Sequence, residues 1–143
     1  MLKNLHKQNG FGVIESIIIV LILLILGTVV LAGYLSGKRD ARDAQRVSDV
    51  VQIRKALGYY FREFGQYPSA SNGKAVGTDN TFSRFITWPD APQPADGACG
   101  DKYNVYNYEQ LSSGDAYQIT FCLGSGYNNL KAGLHIVTSN DPE

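Results

Sequence analysis

The stretch FGVIESIIIVLILLILGTVVLAGYL, Phe11 to Leu35, contains a single charge, Glu15. As a helix rising ~1.5 Å per residue it extends roughly 37 Å, enough to cross a hydrocarbon core about 30 Å thick. An ionised carboxylate inside a bilayer costs about 3 kcal/mol or more, so Glu15 needs a partner. Phe11 stands four residues before it, and positions i and i+4 share one helix face. A cut between Gly10 and Phe11 would create an ammonium on that face. Glu15 of the same chain, or of a stacked copy, could then neutralise it. Such a pair would also fix axial register, as buried polar residues do in coiled coils.

The residues before this stretch, MLKNLHKQNG, are polar and carry Lys3 and Lys7. Gly-Phe-x-x-x-Glu before an apolar helix, after a short basic leader, resembles the class III signal of type IV prepilins and of type II secretion pseudopilins. The resemblance implies a membrane peptidase and methyltransferase that cuts after Gly10 and methylates the new N-terminus at Phe11. It also makes Glu15 the assembly carboxylate at the fifth mature position. The chain departs from the usual pattern at Gly12, where Thr or Ser is common, and lacks a proline near Ala32. Gly27 and Gly33 can loosen the helix instead. Two other readings compete. A secretory signal peptide cut after Ala32 would have an apolar core of about 20 residues, against the usual 7–15. A plain uncleaved anchor is the other. The charges flanking the run, Lys3 and Lys7 before it and Lys38, Arg39 and Arg42 after it, do not separate these readings.

Beyond the run, residues 38–64 contain no proline, and Val47, Val50, Ile53, Leu57, Tyr60 and Phe64 recur at spacings of three and four. That is one apolar helix face, with Gly65 as its stop and Pro68 three residues on. The face reads as a core-packing surface on which a head folds. Ala56-Leu57, the aromatics Tyr59, Tyr60, Phe61 and Phe64, and then Gly65-Gln66-Tyr67-Pro68 carry a second resemblance, to pseudopilins and minor pilins.

The formal net charge is zero, but residues 38–62 hold seven Lys/Arg against three Asp, and residues from Glu63 onward hold four against nine Asp/Glu. The imbalance reads as a solvated stem beside a solvated head, or as stem and head of neighbouring copies attracting each other. Cys99 and Cys122 are the only cysteines. Behind a membrane-spanning segment they read as a disulfide formed in an oxidising compartment, the alternative being two buried thiols. A bridge closing a loop of about 24 residues would stabilise the head by roughly 3 kcal/mol.

Residues 66–102 read as a long surface loop with a short ordered piece at Phe82 to Trp88. Strands are expected at Tyr103–Tyr108, Ala116–Leu123 and Leu134–Thr138. Turns are expected at Ser112–Asp115 and at Gly124-Ser125-Gly126. Tyr117, Ile119, Phe121 and Leu123 should face the helix. Cys122, on the outer face, should tie to the loop through Cys99.

The expected fold is therefore α+β and type IV pilin-like: a long N-terminal helix, half of it transmembrane, packed against a small antiparallel sheet. Its parts are a leader (1–10), a transmembrane or filament-core helix (11–37), an amphipathic stem (38–65) and a globular head (66–143), itself a loop (66–102) and a sheet (103–143).

Little in the sequence suggests catalysis. No phosphate loop, nucleophile motif or zinc spacing is present, and no cofactor is expected. His135 reads as a structural histidine on a strand. Asp115, Asn128, Asn140 and Asp141 could assemble a calcium site, since hard cations take oxygen ligands, though their spacing is not diagnostic of one. Tyr103, Tyr106, Tyr108 and Tyr127 could offer a sticky surface, though dense aromatics on short strands more often pack. The reading is a structural subunit of a type IV pilus-like filament, not an enzyme. It waits in the membrane as a single-pass protein and then enters an extracellular or periplasmic polymer. Alternatives are a pseudopilin of a type II secretion apparatus and a monomeric membrane-tethered binding module. The resemblance implies as partners further copies of the chain, other pilins, the prepilin peptidase, an inner-membrane assembly platform and lipid. Nucleic acid, drawn to a basic stem, is the weakest candidate.

Overall fold

The computed structural model of the chain describes residues 12–141. The leader, the Gly10–Phe11 bond and the expected methylation site at Phe11 lie outside them. One helix, α1 (Val13–Phe64), carries the first part of the chain. The chain divides between Gly37 and Lys38 into two compact units.

In the first unit every large apolar side chain from Val13 to Leu35 is 43–77% exposed. Two hydroxyls there turn back on the helix's own backbone. Thr28 Oγ1 donates to the Ile25 carbonyl at 2.8 Å, and Ser16 Oγ donates to the Gly12 carbonyl at 3.4 Å. Such back-bonding removes the cost of a bare hydroxyl in an apolar medium.

The second unit is built on the stem half of α1. Val50, Ile53, Leu57 and Tyr60 are buried, as their spacing predicts, and Ala56 joins them. Val47 packs at the margin of this core. Phe64 is 40% exposed, yet its ring lies 4.4 Å from that of Tyr60. The helix ends where expected: Gly65 adopts φ +72 and donates its N–H to the Phe61 carbonyl at 2.8 Å. Glycine enters this left-handed region without the penalty a Cβ brings.

Five strands follow: β1 (Ala70–Ser71), β2 (Lys74–Ala75), β3 (Asn107–Leu111), β4 (Ala116–Tyr127) and β5 (Leu130–Thr138). Strands β3, β4 and β5 form an antiparallel sheet in that order, and β1 pairs with β2. Tyr117, Ile119, Phe121 and Leu123 alternate along β4 and are all buried in the core with the stem residues. The inward face of the sheet is thus the one predicted.

Three local readings change. The first strand starts at Asn107, not Tyr103, because residues Asp101–Tyr103 form a 3-10 turn. Strands β4 and β5 run longer than predicted, because Gly124-Ser125-Gly126 is a bulge inside the hairpin and the chain reverses at Asn128 and Asn129. The loop also contains a hairpin, β1–β2, turned at Asn72 (φ 50) and Gly73 (φ 71), the Asn-Gly pairing that suits a two-residue type I′ turn. Downstream, a 3-10 segment (Thr78–Arg84) buries Phe82. Phe82 and Phe85 set their rings 5.9 and 5.7 Å from Tyr60. Edge-to-face aromatic packing thus closes the end of the stem that lies furthest along the chain.

Candidate functional site: an apolar helix and an aspartate clamp

Glu15 is the one acidic group in the first turn of α1, and it has a partner: its Oε2 accepts the Gly12 N–H at 3.0 Å. This is half of a capping box, in which an acid at the third helical position reaches back to the cap N–H. It satisfies one of the donors that every helix start leaves open, and the positive end of the helix dipole favours the charge. The expectation of an amine partner thus meets a backbone donor already in place. Around Glu15 lies the exposed apolar surface from Val13 to Leu35. By length and composition α1 is a helix able to cross a membrane, and the only such helix among the described residues. Gly27, Gly33 and Gly37 have no atom within 4 Å of the position a Cβ would take. Nothing in the described chain requires glycine at these places.

The second assembly of functional groups lies wholly within the head unit, at the start of the stem. Asp43 is fully buried. Its carboxylate accepts three consecutive backbone N–H groups of the β4 bulge: Gly124 at 2.8 Å, Ser125 at 2.7 Å and Gly126 at 3.0 Å. Arg46, also buried, adds a charged bond to Asp43 Oδ1 at 2.7 Å. Burial raises the Asp43 pKa, but the backbone donors and Arg46 outweigh it, and the carboxyl is held below its ordinary value.

Arg46 then reaches into the loop. Its Nη1 donates to Asp96 Oδ1 at 3.1 Å, and its Nη2 donates to Asn104 Oδ1 at 3.0 Å and to the Pro92 carbonyl at 3.3 Å. Arg42 Nε donates to Asp96 Oδ2 at 2.7 Å, and Arg42 Nη2 bonds the same oxygen. One turn on, buried Asp49 accepts the Tyr106 hydroxyl at 2.7 Å. Burial, first, and then the neighbouring Asp49 carboxylate push the Tyr106 pKa far above its usual range, so it remains a donor.

The attraction between a basic stem and an acidic head is therefore met inside one chain, through Arg42, Arg46 and Asp96. Tight main-chain approach makes this possible. A Cβ on Gly97 would fall 2.0 Å from the Gly124 carbonyl oxygen, and one on Gly124 would fall 2.4 Å from Asp96 Oδ1.

Cys99 and Cys122 are joined, with Cα atoms 5.8 Å apart, and the bridge ties the clamp's loop to β4. The proposed calcium ligands are not gathered. Asp115 precedes β4 and Asn128 follows it, and twelve strand residues at ~3.3 Å each set the two roughly 40 Å apart. Asp141 instead accepts the Thr138 N–H at 2.6 Å and the Thr138 hydroxyl at 3.0 Å. Among the described residues no group of three or more His, Cys, Asp and Glu is placed to hold a metal ion.

Of the four tyrosines, Tyr106 and Tyr108 are buried, Tyr127 is half-buried and Tyr103 is exposed. They do not form a common surface. His135, on β5, stacks on Phe121 with centroids 5.4 Å apart, and its Nε2 lies 2.7 Å from the Lys131 carbonyl. That is a packing role.

No protein-family model and no solved structure matches the chain. Curated proteins do. The type II secretion system core protein G of Vibrio cholerae serotype O1 is 30% identical over 132 residues, which is 87% of this chain and 85% of that protein. Its namesake from Pectobacterium carotovorum is 32% identical over 77 residues, covering 53% of this chain and 49% of the relative. That of Escherichia coli K12 is 30% identical over 72 residues, half of each chain.

Proposed function

The chain belongs to the type II secretion system core protein G family, and so to the type IV pilins and pseudopilins, and from that premise we propose that it is a structural subunit of a secretion pseudopilus. Of the readings the sequence allowed, the pseudopilin is the one its relatives favour over a surface pilus. The observation that carries the proposal is the match to the Vibrio protein over 87% of the chain. The apolar surface from Val13 to Leu35 adds a physical reason, because its large apolar side chains are 43–77% exposed. Lipid covers it before assembly and neighbouring helices cover it afterwards.

In this reading the boundaries fall at Gly10, Gly37 and Gly65. The leader is removed, residues 11–37 form the membrane and filament-core helix, and residues 38–65 form the stem that carries the head. The subunit is made in the inner membrane and passes into a periplasmic filament. Its partners are copies of itself, related pseudopilins, the peptidase that matures it and the platform that assembles it. Its role is mechanical, not catalytic.

Cleavage after Gly10 matters because it leaves an ammonium at Phe11, one helical turn from Glu15. The Glu15 carboxylate already accepts the Gly12 N–H at 3.0 Å. A carboxylate has two oxygens and about four acceptor sites. It can keep that bond and still take an ammonium from its own or a neighbouring chain.

Intact-mass and N-terminal fragment spectrometry of the membrane-purified protein tests the proposal. A chain starting at N-methylated Phe11 is expected. A start at Gly33, or an intact Met1, would overturn it.

A further inference from the structure

We propose that the Cys99–Cys122 bridge is a redox lock on one end of the stem: through the aspartate clamp it holds residues 42–49 to the head, while residues 53–60 hold on without it. This goes beyond the filament reading and does not depend on it.

The two sulfurs sit in the two halves of the clamp. Cys99 closes a turn in which its N–H donates to the Asp96 carbonyl at 3.0 Å, and the Asp96 carboxylate is the group that binds Arg42 and Arg46. Cys122 lies two residues before Gly124, the first of the three amides on Asp43. Besides the bridge, one main-chain bond joins these halves directly, from the Ala98 N–H to the Gly124 carbonyl at 3.0 Å.

The loop that carries Asp96 has no helix or strand between residues 86 and 100. Its polar attachments to the stem run through Asp96 and the Pro92 carbonyl, with Asn104 just beyond the loop, to the same stem turns, and its Asp90 adds only an exposed pair with Lys74. Loop and stem start therefore depend on each other. A segment without its own hydrogen-bonded ladder opens at low free-energy cost unless it is tethered, and the bridge removes that freedom.

The other end of the stem is fastened differently. Ile53 and Leu57 have no exposed surface, and Tyr60 packs on Phe82 and Phe85. The two ring contacts of Tyr60 lie outside the loop between Pro89 and Asn104, which adds only the half-buried Ala91 to the margin of this core, and apolar burial does not respond to loss of a carboxylate partner.

Reduction breaks the bond between the two Sγ atoms. A dithiol reagent supplies two electrons and two protons, the cysteines become two thiols, and the reagent closes to a cyclic disulfide. Asp96 can then leave with the Pro92 carbonyl, and Arg46 and Asp43 keep each other, Asn104 and the bulge amides.

The test is hydrogen exchange of the full-length chain in detergent micelles, oxidised and after treatment with dithiothreitol. Protection at residues 42–49 and 122–126 should fall about tenfold or more, while residues 53–60 change less than about threefold. Equal loss along the whole stem, or unchanged protection at 42–49, would overturn the proposal. Asp96→Asn with the bridge intact should give the same footprint. If that variant keeps 42–49 protected, the bridge does not act through the clamp and the proposal fails.

Discussion

The two halves of α1 are the same kind of element in opposite circumstances. From Val13 to Leu35 no large apolar side chain is less than 43% exposed, whereas Ile53 and Leu57 in the stem have no exposed surface at all. Helical periodicity explains the second half: one stripe is apolar, and the head covers it. The first half is apolar on all sides, which in a soluble chain would be an aggregation hazard and in a membrane is a requirement. Among the described residues the head buries the stem stripe, while the large apolar side chains of the first half stay exposed.

Substitutions sharpen this contrast. The largest effect on head stability is expected from Asp43→Ala, which takes one of two carboxylates from buried Arg46 and strands three backbone donors. Breaking one side of a buried charge pair costs about 3–5 kcal/mol, to be read as a lowered denaturation midpoint of the head. Leu57→Ala should follow, with a loss of about 2–5 kcal/mol from cavity formation. Leu23→Ala, in the exposed half, should leave that midpoint unchanged. A comparable loss at Leu23 would break the distinction between the halves.

A smaller effect should come from acid. The Asp43 carboxyl is held below its ordinary value of 3.8 when folded. Its contribution is therefore fully present above the unfolded value and is lost as pH falls through the folded one. Head stability should be flat with respect to this group from neutral pH down to about 5, then fall below about 4. Asp43→Asn should flatten that acid limb when unfolding midpoints are followed against pH.

Local signals in the sequence disclosed some of this fold and hid the rest. The stem face, its stop at Gly65 and the inward side of β4 are periodic or turn signals read within a few residues of each other. The bridge followed from there being only two cysteines behind an apolar segment. The Asn72-Gly73 turn carries its own signal, but its strands are two residues long and the surrounding composition is that of a loop.

The clamp was hidden for another reason. Asp43 meets Ser125 across 82 positions and Arg42 meets Asp96 across 54, and no periodicity links such distant residues. Charges on a stem look solvated until the fold shows what comes to rest on them. The bulge at Gly124-Ser125-Gly126 is hidden for the same reason: its composition is that of a turn, and only the distant Asp43 accounts for its three amides donating inward. Glu15 was visible at once, because a lone charge in an apolar run needs no fold to be conspicuous. Its bond to Gly12 was not visible, since the resemblance pointed only to an amine.

The account turns on whether the carboxylate at the start of the exposed half serves assembly. Electron microscopy of sheared filaments from cells expressing Glu15→Gln alongside the native secretion machinery, with membrane levels of the subunit matched to wild type, measures this directly. Filaments should be absent or rare. Filaments of wild-type number and length would contradict the account.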